Sequence, residues 1–242
     1  MNHAYDEHLA TNPAFETQTG LKAVEGKRVT EIIPGIRESD PQLFSTYARV
    51  ALTGQPESFE MYVESLRMWF WISTYSPKPE YFVAVFDVIS DRKRAEIGLQ
   101  RLNRALRTIS RCNEVLVHAS EENELLQDMC RTIVVSGQYR FAWVGYAEHD
   151  EAKSVRPVAR FGSDNGYLDQ ASITWADVER SQEPSGTAVR TGAVQVNQNF
   201  VADPRLAPWR DEALKRGYAG NIALPLTDNT GTFGVLTIYS SE

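Results

Sequence analysis

With 242 residues, the chain is long enough for two domains of ordinary size, and a composition of 42% hydrophobic and 24% charged residues excludes low-complexity disorder. No apolar run reaches the length of a membrane span, the N-terminus lacks the pattern of a signal peptide, and Cys112 and Cys130 suggest no disulfide framework, so we expect a cytoplasmic protein without a membrane segment. The net charge of −7 argues against nucleic acid as a partner.

Helix and strand signals in the first half predict a small α+β domain. The Asn-Pro pair at residues 12–13 is typical of a helix start, and this helix is expected to end at Gly20. The Asp-Pro pair at residues 40–41 predicts another helix, with Asp40 as its N-cap, that ends near Gly54. Three strand-like runs follow, at residues 58–63, 68–75 and 81–89.

Several of these segments resemble a PAS domain. They are Asn12-Pro13-Ala14-Phe15-Glu16, Thr19-Gly20, Glu31-Ile32-Ile33-Pro34, Tyr81-Phe82 and residues 86–96. The resemblance implies a PAS-like sensor domain over residues 1–90. The family places two strands before the Asn-Pro pair, whereas only eleven residues precede it here, so we expect the domain to be truncated at its start. The chain also departs from the family at its exit, where Val88 replaces the usual Asp.

The residues of this half disfavour two cofactors that the resemblance suggests. No His lies between Thr11 and Val117 to ligate a haem, and no Cys is present near the third helix to form a flavin adduct. The cofactor, if there is one, stays unknown. The aromatic residues are either a pocket lining or ordinary core: Phe44, Tyr47, Trp69, Phe70, Trp71, Phe82 and Phe86.

A heptad pattern follows at residues 91–118. Its apolar residues recur with alternating spacings of four and three, the a/d repeat of a two-stranded coiled coil, so we predict a helical linker that forms a homodimer. The seam residues are Ala95, Leu99, Leu102, Leu106, Ile109, Asn113 and Leu116. Asn113 takes an a position, where it either fixes the register of two helices or faces solvent because the helices have separated.

The second half, residues 119–242, predicts another α+β domain. Ser120 is a plausible N-cap for a helix that ends at Gly137, and a further helix is predicted at residues 205–216 and closes at Gly217. The strand-like runs are residues 141–147, 155–161, 193–197, 219–226 and 232–239. We expect these strands to form a mostly antiparallel sheet with helices set on it.

Motifs in this half resemble a GAF domain of a bacterial sensor subtype. They are Tyr139-Arg140-Phe141-Ala142-Trp143-Val144-Gly145, Pro157-Val158-Ala159, Ile173-Thr174-Trp175, Pro184-Ser185-Gly186-Thr187, Asp203-Pro204-Arg205 and Ala223-Leu224-Pro225-Leu226. The resemblance implies one more helix at the end of the domain, which we expect this chain to lack. It also implies an output domain of the histidine kinase or diguanylate cyclase type, for which this chain carries no motif.

The GAF resemblance places a ligand pocket between the sheet and its looped face. The candidate lining residues are Trp143, Phe161, Trp175, Asn197, Asp203, Trp209 and Arg210. Aromatic walls with a few polar groups suit a small planar ligand. The alternative is that Trp175 and Trp209 only cap the core where long loops cross it. A covalently attached bilin is disfavoured because no Cys follows Cys130, and no metal site is predicted.

Together these features predict an α+β protein of two small sensor domains, PAS-like and then GAF-like, each an antiparallel sheet with helices, joined by a long helix. The predicted function is a sensory and regulatory input module, without catalytic residues, that binds a small ligand or dimerises to relay a conformational signal through the linker. Two alternatives stay open. One is a ligand-free dimerisation scaffold, and the other is a GAF-type methionine sulfoxide reductase, which needs reactive cysteines in the pocket.

Overall fold

The computed structural model describes residues 10–164, 166–170, 172–178, 183–201 and 207–241. The chain forms two compact units, Met1–Gln100 and Arg101–Glu242. Each unit contains one antiparallel sheet together with helices, so the predicted mixed α+β architecture is confirmed. Among the described helices, none is both long enough and apolar enough to cross a membrane.

Four helices open the first unit: α1 (Pro13–Thr19), α2 (Val29–Ile32), α3 (Ile36–Ser39) and α4 (Pro41–Thr53). The predicted bounds of α1 are confirmed, because the Asn12 side chain accepts a hydrogen bond from the Phe15 N–H and Gly20 ends the helix. Helix α4 likewise ends at Gly54, whose φ of 74° lies in the left-handed region that favours glycine.

Asp40 takes the predicted N-cap position of α4, but its side chain forms no capping hydrogen bond. Its carboxylate instead accepts hydrogen bonds from the N–H groups of Glu64 and Ser65 and from the hydroxyl groups of Ser65 and Ser39. Burial by itself raises the pKa of Asp40, but these hydrogen bonds outweigh burial and hold the pKa below its ordinary value. Asp40 therefore ties the start of α4 to the turn that follows β1 (Glu57–Val63).

The sheet of the first unit consists of β1, β2 (Met68–Tyr75) and β3 (Val83–Val88), in the order β1-β2-β3. Both strand pairs are antiparallel. Alternation along β2 directs Phe70 and Ile72 to one side, where they form the core with Ile36 and Leu43. The helices that precede the strands therefore cover one face of this sheet.

Helix α5 (Ser90–His118) spans the predicted linker without interruption. Its first turn is attached to the sheet of the first unit, because Glu60 on β1 forms ion pairs with Arg92 and Lys93. Every residue of the predicted seam, from Ala95 to Leu116, is exposed in the single chain. The predicted linker is therefore helical, and the apolar stripe along it is exposed to solvent in the single chain.

The second unit is built on a five-stranded sheet. Its strands are β4 (Phe141–Ala147), β5 (Val155–Gly162), β6 (Gln195–Asn197), β7 (Gly220–Asp228) and β8 (Gly231–Ser240). Its further helices are α6 (Glu122–Gly137), α7 (Tyr167–Gln170), α8 (Pro184–Thr191) and α9 (Ala207–Lys215). All neighbouring strands are antiparallel, in the order β5-β4-β8-β7-β6. Ser120 is not the N-cap of α6, because Glu121 takes that position and forms no side-chain capping bond.

Side-chain alternation separates two cores on the faces of this sheet. Ala142 and Val144 on β4 pack with Cys130 of α6. Phe141 and Trp143 on the same strand point to the opposite face, where they pack with residues of α7 and α8. The looped face of the sheet is thus distinct from the α6 face.

A β-bulge reverses the alternation along β5. The register shifts between Val144 and Gly145, which leaves Val158 as an extra residue. Phe161 consequently lies on the α6 face, where the guanidinium of Arg131 is 5.5 Å from its ring centre. The structure therefore removes Phe161 from the predicted pocket on the looped face.

We expect Asp40→Asn to lower the free energy of unfolding of the first unit by about 1–3 kcal/mol, because an amide NH2 group replaces an acceptor of several hydrogen bonds. Hydrogen exchange in peptides covering β1 and β2 measures this loss. The native pKa of Asp40 is lowered, so its stabilisation is present above the unfolded pKa and is lost as the pH falls through the native pKa. The exposed acid Glu38 supplies the control variant Glu38→Gln, and equal exchange in the two variants would refute the role of Asp40.

Candidate functional site

A row of polar side chains lies buried on the looped face of the second sheet. Trp143 on β4 is paired in register with Thr237 on β8. Tyr239 on β8 is paired with Asn221 on β7, which is paired with Asn197 on β6. All of these side chains are buried. We call this set of residues the polar face.

Glu183 places an acid within the core beside the polar face. It is the N-cap of α8 and only 6% exposed. Its Oε1 accepts the Gly186 N–H at 2.6 Å, and its Oε2 accepts the Ser185 N–H at 2.9 Å. Burial raises the pKa of Glu183, although the hydrogen bonds act in the opposite direction. Helix α8 therefore begins at a buried acid rather than at a solvated cap.

A hydrogen bond between two hydroxyl groups joins the start of α8 to the sheet. The hydroxyl groups of Ser185 and Thr237 are 3.0 Å apart and form a hydrogen bond. Both side chains are completely buried, so bulk water does not compete for either hydroxyl. The start of α8 is thus fixed to β8 through a single hydroxyl pair.

Two tyrosines complete the surroundings of Glu183. The rings of Tyr167 on α7 and Tyr239 on β8 meet edge to face, with centroids 6.3 Å apart. Burial raises the pKa of both phenols, and the nearby Glu183 carboxyl raises it further. The guanidinium of Arg216, which is itself buried, lies 5.4 Å from the centre of the Tyr167 ring. Glu183, Tyr167 and Tyr239 therefore form a buried cluster in which the charge of the acid affects the pKa of both phenols.

Unpaired polar atoms are concentrated on the polar face. Among the described residues, Asn197 Nδ2 and Asn221 Oδ1 are buried and lack a hydrogen-bond partner. Leaving a buried polar atom unpaired costs roughly 1–3 kcal/mol, so two on one face of a sheet call for an explanation. A molecule with one acceptor and one donor would satisfy them.

Two of the residues predicted to line a pocket belong to this face, and Phe161 does not. Trp143 and Asn197 are on the polar face. Phe161 lies on the α6 face, as the bulge requires. Asp203 lies outside the described residues.

The remaining predicted residues lie at the edge of the same core. Trp175 and Trp209 are partly buried and pack against it. The Trp175 Nε1 donates a hydrogen bond to the Glu148 carbonyl, and the Arg210 Nε donates one to the Phe200 carbonyl. These bonds fix the rim of the looped face. This placement agrees with the alternative in which the two tryptophans cap the core.

The sequence interpretation missed the acid and the hydroxyl pair. Glu183 directly precedes Pro184, which takes the first helical position, and an acidic residue before such a proline is an N-cap signal. Alternation along β8 also places Thr237 and Tyr239 on the face of the buried Val235. Both signals were present, but neither reveals that the side chains are buried.

An apolar groove of about 210 Å³ lies where strands β6, β7 and β8 meet at one end of the sheet of the second unit. It is lined by Tyr139, Val196, Asn197, Gln198, Gly220, Asn221, Ile222, Ile238 and Ser240. Val196, Ile222 and Ile238 are paired across the strands, and Ile238 packs on the α6 core. The lining therefore combines residues of the α6 face with Asn197 and Asn221, which belong to the polar face. In the described ranges, no group of three His, Cys, Asp or Glu side chains is placed to hold a metal ion.

Comparison with known proteins identifies the second unit. The family model of the GAF domain matches residues 119–242. A GAF domain of the NLH2 protein of A. aeolicus in an inactive state is 14% identical, with a TM-score of 0.45 over 58% of this chain and 81% of that chain. A mutated NreA protein from Staphylococcus aureus, altered in its nitrate binding site, is 18% identical, with a TM-score of 0.41 over 50% and 86% of the two chains.

A third solved structure is the free methionine-R-sulfoxide reductase from Neisseria meningitidis in complex with its substrate. It is 13% identical, with a TM-score of 0.43 over 56% of this chain and 72% of that chain. No curated protein matches the chain.

We expect Ser185→Ala or Thr237→Val to lower the free energy of unfolding of the second unit by about 1–3 kcal/mol, because each leaves a buried hydroxyl unpaired. The double variant should cost less than the sum of the single variants, since no unpaired partner remains. Chemical denaturation of the four proteins measures this coupling. Thr227→Val, at an exposed position of β7, is the control. Strict additivity would mean that the hydroxyl pair contributes nothing specific.

Proposed function

The chain belongs to the GAF domain family, and we propose that it is the sensory and regulatory input module of a cytoplasmic signalling protein. In this proposal the polar face responds to a small molecule, and α5 holds two copies of the chain together. In the same proposal, the chain relays its signal to an output domain of the histidine kinase or diguanylate cyclase type.

The observation that carries this proposal is the two-sided character of α5. On one side, Thr108 is buried, and a Cβ added at Gly137 of α6 would be 3.3 Å from its hydroxyl oxygen. On another side, Leu106 and Ile109 are 54% and 57% exposed. A helix that packs on its own GAF unit and also presents an apolar stripe connects the interior of the domain with a second surface.

The exposed stripe is best covered by the same stripe of a second chain. Its alternating spacings of four and three match a left-handed coiled coil, and burying one leucine side chain stabilises by roughly 1.5–3 kcal/mol. In a parallel dimer Asn113 would meet its own copy, where it disfavours other registers. Homodimerisation through α5 follows as the proposed assembly.

We assign the first 90 residues to a PAS-like domain as part of the same proposal. The support is its resemblance in sequence, together with a three-stranded antiparallel sheet whose one face is covered by short helices. The proposed division is residues 1–90, the helical linker 91–118 and the GAF unit 119–242. Such an arrangement lets α5 carry a change in position or register between sensors and output.

The ligand is proposed to bind at the looped face of the GAF unit. Asn197 and Asn221 supply an unpaired donor and an unpaired acceptor beside the buried indole of Trp143. Trp175, Trp209, Arg210 and Asp203 are proposed as the surrounding residues of this face. The ligand itself is a small molecule that offers complementary hydrogen-bonding groups.

Catalysis of the methionine sulfoxide reductase type is disfavoured by the two cysteines. Cys112 lies on α5, and Cys130 lies on α6, in the core opposite the polar face. Burial raises the pKa of the Cys112 thiol and raises that of Cys130 to about 12. Such thiols are protonated at neutral pH, whereas this chemistry needs a thiolate. A non-catalytic module is therefore the proposed role, and a ligand-free scaffold is the alternative.

We expect Leu106→Asp to raise the dimer dissociation constant at least about tenfold, because it places two charges in a buried seam. Sedimentation velocity across a range of protein concentrations measures this shift. Leu52→Asp is the matched control, because Leu52 at the end of α4 is even more exposed than Leu106 but lies outside the stripe. A wild-type chain that is monomeric throughout, or a control that weakens the dimer equally, would refute the proposed seam.

Native mass spectrometry of the full chain, purified directly from cells, tests the sensing part of the proposal. We expect a dimer that carries an added non-protein mass. Asn221→Leu removes an unpaired acceptor and should lose this mass, whereas the control Thr227→Val on the same strand should retain it. A dimer of bare mass in the wild type would favour the ligand-free scaffold.

A further inference from the structure

Two asparagines on neighbouring strands hold an unpaired donor and an unpaired acceptor side by side. Asn197 on β6 is paired in register with Asn221 on β7, so the two side chains leave the same face of the sheet. The Cβ atoms of such cross-strand partners are about 4.5–5.5 Å apart. The unpaired donor is Asn197 Nδ2 and the unpaired acceptor is Asn221 Oδ1. These two atoms do not bond each other, although they are complementary, so both are left for a third group.

The backbone around Asn197 sets which end of its side-chain amide remains unpaired. Its Oδ1 accepts the Asn199 N–H at 3.1 Å, so the oxygen is engaged and the NH2 group is not. Gly220, the residue before Asn221, allows β6 to lie close to β7, because a Cβ at this position would be 2.6 Å from the Asn197 carbonyl oxygen. The donor is therefore presented from a closely packed strand in one orientation.

The groove at the end of the sheet gives this pair of amides an apolar and uncharged setting. Asn197 and Asn221 both line it, and none of its lining residues has a charged side chain. Val196, Ile222 and Ile238 supply apolar walls. A charged ligand would lose its hydration here without gaining an ion-pair partner. The groove therefore suits a small neutral molecule with an apolar body.

Edge strand β6 provides the access from the groove to the two amides. Asn197 and Asn221 are only 5% and 6% exposed, so a ligand reaches their unpaired atoms after a local opening. Strand β6 has three residues and is paired with β7 alone, at the edge of the sheet. So few hydrogen bonds hold this strand that its opening requires much less free energy than unfolding of the whole sheet.

The two unpaired atoms select a particular chemical group. A carboxylate offers only acceptors and an ammonium group offers only donors, so each would leave one of the two asparagines unpaired. An amide offers one N–H and one C=O, but in a trans amide, such as a peptide bond, these groups point in opposite directions. Closure of a small ring forces the amide to be cis, which brings its N–H and C=O to the same edge. A cis amide edge therefore matches the pair.

We propose that Asn197 and Asn221 bind a neutral cyclic amide, of the lactam or cyclic imide class, that enters from the groove. The ligand carbonyl accepts the Asn197 NH2 group, the ligand N–H donates to Asn221 Oδ1, and the ring lies against the apolar wall. This inference rests on the proposed function, because it names the chemical class of the small molecule that the polar face senses.

Titration of 2-piperidone, a six-membered lactam, into the full wild-type chain labelled with 15N at asparagine tests the inference. We expect the side-chain amide signals of Asn197 and Asn221 to shift and to saturate. N-methyl-2-piperidone keeps the ring and the carbonyl but has no N–H, so it should bind at least about tenfold more weakly. Pentanoate, which offers only acceptors and carries a charge, should bind more weakly by a similar factor.

Variants at the two positions test the role of each amide. Asn197→Asp keeps the oxygen that accepts the Asn199 N–H but removes the donor, and Asn221→Leu removes the acceptor. We expect each variant to weaken the binding of 2-piperidone at least about tenfold. Asn229→Leu, at the exposed turn between β7 and β8, is the matched control and should keep the wild-type affinity.

Equal affinity of the wild-type chain for 2-piperidone and its N-methyl derivative would overturn the inference, and this comparison does not depend on the folding of any variant. Binding that persists unchanged in both site variants would also overturn it. A wild-type chain that retains a non-protein mass but does not bind 2-piperidone would contradict the ligand class and leave the proposed sensing function intact. Selective binding of 2-piperidone by a chain of bare mass would support the site while the native ligand expected under the proposed function is missing.

Discussion

Alternation of side chains across the five-stranded sheet is the constraint on which the GAF unit depends. Because neighbouring residues of a strand point to opposite faces, β4 supplies Ala142 and Val144 to the α6 core and Phe141 and Trp143 to the looped face. The α6 core is apolar. The looped face instead carries buried amides, hydroxyls and an indole N–H. A single sheet thus separates an apolar face that packs on α6 from a face that carries buried polar groups beneath α7 and α8.

Helix α5 also has two different sides, because its helical periodicity places buried and exposed residues on different faces. Thr108 and Cys112 are spaced by four residues and face the GAF unit, whereas Leu102, Leu106 and Ile109 form the exposed stripe. These three side chains are each more than half exposed in the single chain, and the proposed dimer would remove them from water. Contact with the interior and availability to a partner therefore coexist on one helix.

Local signals predicted the parts of the fold that depend on neighbouring residues. The bounds of α1 follow from Asn12 and Gly20, and the end of α4 follows from Gly54, because capping is decided within a turn of helix. The Asp40 side chain forms no capping bond because its partners, Glu64 and Ser65, are distant in sequence. No local pattern indicates that a carboxylate will prefer a remote turn to the adjacent helix.

The candidate site shows the same limit. Trp143 and Asn197 were predicted from the family resemblance and lie on the polar face, whereas Phe161 does not, because one extra residue at Val158 inverts the alternation of β5. Glu183 was missed because composition and spacing do not report burial. An acid before a proline reads equally well as a solvated cap, and only the packing of α8 reveals that the carboxyl is enclosed.

The buried acid also constrains which ligand the polar face could accept. Both carboxylate oxygens of Glu183 already accept the N–H groups of Ser185 and Gly186 that start α8, so these donors are not available to an anion. An anionic ligand would bind better when Glu183 is protonated, and a cationic ligand would bind better when it is ionised. Under the proposed function, a ligand on the polar face and the proton on Glu183 would be thermodynamically linked, and each would change the affinity for the other by the same factor. The sign of that coupling would report the charge of the ligand before its identity is known.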